Sequence, residues 1–241
     1  LVALSLDGPE TYHNELRGSQ MAFKNVLKAI ASLKKEGVQV NIITTIMKGN
    51  LPLLPEIEKT ISTKGVSFWQ LQLGIPMGKL SEHMEFVIEP NQLLDVKKFI
   101  LEAKQRNQIQ LTIADSIGYC SQDELIMRNN SSTNGERVYL GCMAGCKAVA
   151  IESNGDVKGC LSLQNERFIE GNIRERSLKD IWTDKKSFNY NRNFNSESLG
   201  GYCSKCVYAN ICRGGCTSLA YNTSGHINNN NYCMHIMEQR W

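Results

Sequence analysis

Eight of the nine cysteines lie in the last 100 residues, and only Cys120 precedes them. Their order is Cys142, Cys146, Cys160, then Cys203-x2-Cys206-x5-Cys212-x3-Cys216, and finally Cys233 after sixteen intervening residues. Thiols at such spacing do one of three things. They pair as disulfides, hold zinc, or hold iron–sulfur clusters. Disulfides suit an oxidising compartment, and no charged-then-apolar leader opens this chain. Zinc ribbons usually separate their two pairs by about 15–20 residues, whereas only five separate Cys206 from Cys212. A cubane takes four thiolates, often several from one compact loop and one from afar. Cys203, Cys206 and Cys212 with distant Cys233 fit that pattern, as do Cys142, Cys160 and Cys216 with Cys146. Gly214 and Gly215 before Cys216 let backbone pass close to a bulky group. Spacing alone favours iron–sulfur and leaves the other two open.

The segments around these thiols read as a β-hairpin and short helices. Val149–Glu152 and Val157–Cys160 flank Asn154-Gly155, which suits a type I′ turn. Ser177 and Asp180 have the form of a capping box ahead of Ile181-Trp182. The first half is built differently. Val2–Leu6 is an apolar run stopped by Asp7-Gly8-Pro9. Phe23, Val26, Leu27, Ile30 and Leu33 recur at helical spacing up to Gly37, and a β-branched strand over 38–46 follows. Leu53, Leu54, Ile57 and Ile61 mark a second helix, with Asn50 as its N-cap and Gly65 at its end. A strand over 66–73, a helix through Leu93, Val96, Ile100 and Ala103, and a strand over 109–113 complete the alternation. Strand–helix repeats imply an α/β fold with a parallel sheet, whose ligands bind at the C-terminal ends of the strands. That singles out Ser5, Asp7, Thr44, Thr45, Gln70 and Gln72. The domains expected are 1–115, a linker over 116–140, and a cysteine-rich part over 141–241.

Composition narrows the classes further. Lys plus Arg is 27 and Asp plus Glu is 24 in 241 residues, a formal charge of +3. That balance gives no basic face for nucleic acid. Apolar residues at 41% and charged residues at 21% are globular values. No apolar run is long enough for a membrane span, and a reducing cytoplasm is the expected setting. His13, His83, His226 and His235 are scattered and read as surface or loop residues. Asn130 and Asn222 stand in glycosylation spacing, which matters only in a secreted protein. No dinucleotide fingerprint, P-loop or zinc-protease histidine pair occurs.

The cysteine pattern, with Asn154-Gly155-Asp156-Val157, Gly171-Asn172-Ile173, Ile181-Trp182 and Arg213-Gly214-Gly215-Cys216, resembles the SPASM domain. That domain is the C-terminal extension of many radical S-adenosylmethionine (SAM) enzymes. Ser5-Leu6-Asp7-Gly8, Arg17-Gly18, Thr44-Thr45 and Asn50 resemble the later part of a radical SAM partial (β/α)6 barrel. The resemblance implies an auxiliary 4Fe–4S cluster on Cys203, Cys206, Cys212 and Cys233. It implies another on Cys142, Cys160 and Cys216, with Cys146 as fourth ligand. Ser5, Asp7, Arg17, Thr44, Gln70 and Gln72 would lie near SAM. Cys120 has no place in the pattern and reads as a buried or partly buried thiol. A Cys-x3-Cys-x2-Cys loop for the catalytic third cluster does not occur in these residues. With a strand starting at once after Leu1, this predicts the C-terminal part of a longer enzyme, inactive alone.

The implied activity is that of a peptide or protein maturase. A 5′-deoxyadenosyl radical would take hydrogen from a substrate side chain. The auxiliary clusters would take up the electron or bind substrate, and flavodoxin or ferredoxin would serve as electron donor. Anaerobic sulfatase-maturating relatives carry an Asp as general base directly after the cysteine matching Cys160. Here that residue is Leu161, which cannot take a proton, so formylglycine formation is the alternative rather than the main reading. A non-catalytic iron–sulfur module or a zinc peptide-binding module are the other rivals.

Overall fold

The computed structural model describes residues 1–129 and 138–240. Two compact units emerge. The first comprises the described residues of Leu1–Gly74, Glu82–Val138 and Cys233–Trp241, and the second comprises Ile75–Ser81 and Tyr139–Tyr232.

The first unit is α/β. In chain order it has β1 (Val2–Ser5), α1 (Glu10–Leu16), α2 (Ala22–Lys35), β2 (Val40–Ile46), α3 (Leu54–Ser62), β3 (Phe68–Leu73), α4 (Leu93–Arg106), β4 (Gln110–Ile113) and α5 (Glu124–Arg128). All strand pairs are parallel, in the order β1-β2-β3-β4. A doubly wound sheet reverses its strand order at a switch point, whereas this order advances one strand at a time, as in a barrel sector. Right-handed crossovers then place the connecting helices on one face.

The strands show this in their burial. β2 buries Val40, Ile42, Thr44 and Ile46, and β3 buries Trp69, Leu71 and Leu73, while alternate residues stay half-buried. The buried face meets Ile30 of α2, Leu54, Ile57 and Ile61 of α3, and Val96, Phe99 and Ile100 of α4. Trp69 packs edge-on against Phe99, with centroids 5.7 Å apart. The expected elements are present with ends trimmed by one or two residues. α1 is an addition, because seven residues with few apolar positions carry no clear period.

The boundaries differ from those expected. Residues 116–129 are not a linker. They carry α5 and the buried Tyr119, and fold with the first unit. The chain also returns to that unit through its last described helix, α10 (Met234–Arg240). Glu238 of this helix accepts from Lys97 Nζ at 2.6 Å, Ser121 Oγ at 2.5 Å and Gln122 N at 3.1 Å. A buried carboxylate with three donors holds such a helix firmly. Asn130 lies outside the described residues.

The second unit has a three-stranded antiparallel sheet, β5 (Ala150–Ile151), β6 (Asp156–Lys158) and β7 (Gly171–Asn172). Short helices follow: α6 (Leu178–Thr183), α7 (Asn189–Arg192), α8 (Ala209–Cys212) and α9 (Thr217–Ser224). The β5–β6 hairpin is present, but its turn is not type I′. Only Gly155 has positive φ (96°), Asn154 does not, and Gly155 N donates to Glu152 O at 2.9 Å. This is a three-residue loop with a left-handed glycine closing it. Ser177 caps α6 by accepting from Asp180 N at 3.1 Å. The Asp180 carboxylate accepts from the Ser177 hydroxyl at 2.7 Å instead of reaching back to its amide, so half of the capping box forms. No described helix is long and apolar enough to cross a membrane.

Candidate functional site

Three thiols of the second unit converge. Cys160 follows β6 by two residues, and Cys142 leads into the Met143–Ala148 turn. Both pack against a buried cluster of Ala144, Leu163 and Phe168, together with Tyr190, Tyr221 and Ile227. Cys216 stands at the N-cap of α9. Burial pushes its thiol up to about 12, and the neighbouring Cys142 and then Cys160 push the same way. The Leu219 and Ser218 amides at the first turn of α9 pull against them. Cys216 keeps some contact with solvent, yet protein surrounds its sulfur densely enough that desolvation dominates. Cys146 is half-buried in the same turn and is not among the groups whose charges act on Cys216.

The remaining thiols fall in two places. In the second unit, Cys203 is buried and its thiol is raised first by that burial. The Asn230 amide lowers it and neighbouring Cys206 raises it. Cys212 is buried at the end of α8, followed by Arg213, Gly214 and Gly215, all at positive φ. That left-handed run reverses the chain tightly before Cys216, and two of its three positions are glycine for that reason. In the first unit, Cys233 is buried with Sγ 3.8 Å from Tyr119 O. Cys120 is half-buried on the Gly118–Cys120 bend, where three successive residues have positive φ. Among the described residues no disulfide forms. Nor do three or more His, Cys, Asp or Glu side chains close to the separation of a single metal ion. A cubane asks for a wider cradle, since each thiolate binds a different iron.

On the first unit, the half-buried sheet face carries a polar row. Ser5, Ile43, Gln70 and Thr112 are register partners across the four strands, and Thr45 pairs with Gln72. Gln72 Nε2 donates to Thr45 Oγ1 at 3.1 Å. Ser5, Gln70 and Gln72 therefore share the face away from the helices. Thr44 does not. It is fully buried on the helix side, donating to Leu6 O at 2.6 Å and accepting from Trp69 Nε1 at 2.8 Å. Alternation along β2 sends Thr44 and Thr45 to opposite faces, and both capacities of Thr44 are spent on an inter-strand clamp.

Asp7 is a knot at the end of β1, 1% exposed. Its Oδ1 accepts from Thr45 N at 2.9 Å, and Oδ2 accepts from Arg17 Nε at 3.1 Å and Nη2 at 2.5 Å. Its amide donates to His13 Nδ1 at 3.1 Å. His13 is therefore no surface residue. It is buried on α1, with its Nδ1 as acceptor, and burial above all lowers its pKa. Asn50 stands at the N-cap of the 3-10 turn Leu51–Leu53 that leads into α3, but its side chain makes no capping bond. Its Oδ1 accepts from Met47 N at 2.7 Å, and its Nδ2 donates to Asp7 O and Thr45 O, both at 2.8 Å. It ties the ends of β1 and β2 together. The sequence offered no sign of His13 or Tyr190, because neither sits in a motif.

The family model of SPASM, described as an iron–sulfur cluster-binding domain, matches residues 142–207. The chain is 28% identical over 235 residues to the AdoMet-dependent heme synthase of Oleidesulfovibrio alaskensis, covering 92% of this chain and 58% of that protein. It is 23% identical to a cysteine-type anaerobic sulfatase-maturating enzyme of Clostridium perfringens, covering 90% and 58%. Streptococcus suis SuiB, solved bound to precursor peptide SuiA, superposes with a TM-score of 0.68 at 17% identity, covering 95% of this chain and 52% of that one. The chain therefore carries a SPASM match over 142–207 and is similar to these AdoMet-dependent and sulfatase-maturating enzymes along about nine-tenths of its length. It spans about three-fifths of the length of the curated relatives it matches.

In the cysteine-rich unit that contains the SPASM match, the donor set fits an iron–sulfur cluster. Cys142, Cys160 and Cys216 converge from three separate segments, and burial disfavours charge on Cys216 until a cation arrives. Bound iron reverses that preference and deprotonates its thiols. The buried Tyr190 hydroxyl, on the same apolar cluster, has no hydrogen-bond partner among the described residues. Burial, then Cys142, Glu170 and Cys160, raise its pKa, so it keeps its proton. Leu161, next to Cys160, is 56% exposed and supplies no base.

Proposed function

We propose that the chain is part of a radical SAM enzyme that modifies a peptide or protein, with Cys142, Cys160 and Cys216 holding one auxiliary 4Fe–4S cluster. The observation that carries this is the convergence of those three thiols in a domain whose family model is iron–sulfur binding. Cys146 is the fourth ligand in this reading. Cys203, Cys206 and Cys212 with Cys233 hold a second cluster. When bound, SAM and a third cluster in the longer protein would supply a 5′-deoxyadenosyl radical that takes a hydrogen from substrate. Ser5, Gln70 and Gln72 would line the cofactor side of the sheet. Asp7 and Arg17 brace each other and fix the strand ends. The reducing cytoplasm and a flavodoxin or ferredoxin donor belong to the same reading.

A peptide substrate is supported by the likeness to SuiB, which was solved with its precursor peptide. The aliphatic Leu161 argues against formylglycine formation, since a general base must reach and hold a proton. A second reading, a heme-forming reaction on an iron porphyrin, rests on the higher identity to the heme synthase, 28% against 23% for the sulfatase-maturating enzyme. The test uses the full-length protein, reconstituted anaerobically and reduced. It is offered SAM with a candidate precursor peptide from a neighbouring reading frame, or SAM with an iron porphyrin. The expected result is 5′-deoxyadenosine and a mass change in the peptide. Turnover of the porphyrin alone selects the second reading, and no 5′-deoxyadenosine under any condition refutes both.

A further inference from the structure

Tyr190 stands on α7, with its ring edge-on to Phe168 at 5.5 Å and 77°. It lies on the same apolar cluster as Cys142 and Cys160. Its hydroxyl is buried without a partner among the described residues. The Gly159 amide close by is a donor by nature and could not take the hydroxyl's proton, which has no acceptor among the described residues. The approach is tight. A Cβ on Gly159 would stand 2.2 Å from the Tyr190 hydroxyl oxygen, so the phenol is pressed against backbone one residue before Cys160.

Buried donors without acceptors are rare and costly, and each calls for an explanation. Phenylalanine would fill the same space without that cost. The anionic groups near this position are Cys142, Cys160 and Glu170, and the Glu170 carboxylate makes no hydrogen bond to the phenol, which leaves the sulfurs. Thiolates and bridging sulfides are anionic acceptors that the apo thiols are not. We infer that Tyr190 is a positioning residue for the cluster on Cys142, Cys160 and Cys216, its hydroxyl donating a hydrogen bond to a cluster sulfur and raising the cluster's reduction potential. Hydrogen bonds to the sulfurs are one of the levers that set such potentials, because they stabilise the more negative, reduced form. The inference rests on the cluster assignment proposed above. It assigns the orphan phenol a task that the four cysteine ligands do not cover.

The test compares the anaerobically reconstituted chain with its Tyr190→Phe variant. Iron and sulfide are assayed first, then each cluster is titrated with EPR detection. Pulsed ENDOR in light and heavy water looks for an exchangeable proton coupled to the cluster. Expected are equal iron and sulfide in both proteins, and an about tenfold weaker reduction equilibrium for one cluster in Tyr190→Phe. For a one-electron couple that is a fall of ~59 mV. The other cluster should not move, and one exchangeable proton coupling should vanish. Full iron with unchanged potentials and an unchanged proton coupling would overturn the inference. Loss of one cluster's iron from a folded variant would also overturn it, by making Tyr190 a ligand. If Tyr190→Phe does not fold, the wild-type protein decides, and an absent exchangeable coupling sinks the inference. Wild-type protein without iron and sulfide would instead defeat the cluster assignment beneath it.

Discussion

Replacing Asn50 by Ala should cost the first unit much of its stability. Asn50 is fully buried and makes three hydrogen bonds to main-chain groups of Asp7 just past β1, of β2, and of the loop between β2 and α3, at 2.7–2.8 Å. A net ~1 kcal/mol per bond, plus the penalty for a buried Met47 amide left without its acceptor, gives about 3–5 kcal/mol. Domains are stable by roughly 5–15 kcal/mol in all. The measurement is urea unfolding of the chain with Trp182→Phe and Trp241→Phe, so that fully buried Trp69 alone reports by fluorescence. With a slope near ~2 kcal/mol per molar urea, the midpoint should fall by about 1.5–2.5 M. Asn50→Asp should do no better, since it sets a carboxylate oxygen against two carbonyls. Exposed Lys59→Ala should stay within about 0.5 kcal/mol of wild type. A midpoint shift below ~0.5 M for Asn50→Ala would show that water or neighbouring groups replace the clamp, and the strand-end reasoning would fail.

Cys160→Ala and Cys206→Ala should each remove about half of the reconstituted iron, from different clusters, and Cys120→Ala should remove none. Iron loss from Cys120→Ala equal to theirs would show the ligand set to be wrong. Burial brings the Lys104 ammonium down from 10.5 to about 8. The unfolded chain therefore holds more protons between those values, and stability should rise as pH climbs through that window. Lys104→Met should flatten the rise, and parallel stability curves for the two proteins would contradict it. Gly159→Ala should destabilise the second unit by about 1–3 kcal/mol, because the new methyl meets Tyr190 and the Ala144–Gly145 backbone. A thermal midpoint equal to wild type would mean that the turn yields easily.

Much of the fold was legible because it follows from period and punctuation. Strands with β-branched residues and helices ended by Gly37 and Gly65 need no tertiary information. The thiol pattern was legible because spacing along the chain survives folding. What failed needed a third dimension. Asn50 has the residue type of a cap, yet its amide can bond main chain in any direction, and the sheet end outbid the helix. Thr44 and Thr45 are identical in type, and only alternation relative to the packed face separates them. His13 looked unremarkable because its partner, the Asp7 amide, lies at a strand end that α1 folds back upon. The boundary near 233 was invisible since α10 follows the cysteines in sequence while its Glu238 bonds Lys97 and Ser121.

The alternation of β2 and β3 also bears on how such a protein can diversify. Ile42, Trp69 and Leu71 face the helices, where a lost methylene is felt in stability. Ser5, Ile43, Gln70, Gln72 and Thr112 face the other way, on backbone already held by its neighbours. Substitutions there alter what the sheet presents without opening a cavity in the packed layer. Mutational drift toward a new substrate can therefore proceed along every second residue of each strand, while the intervening residues stay under selection for folding alone.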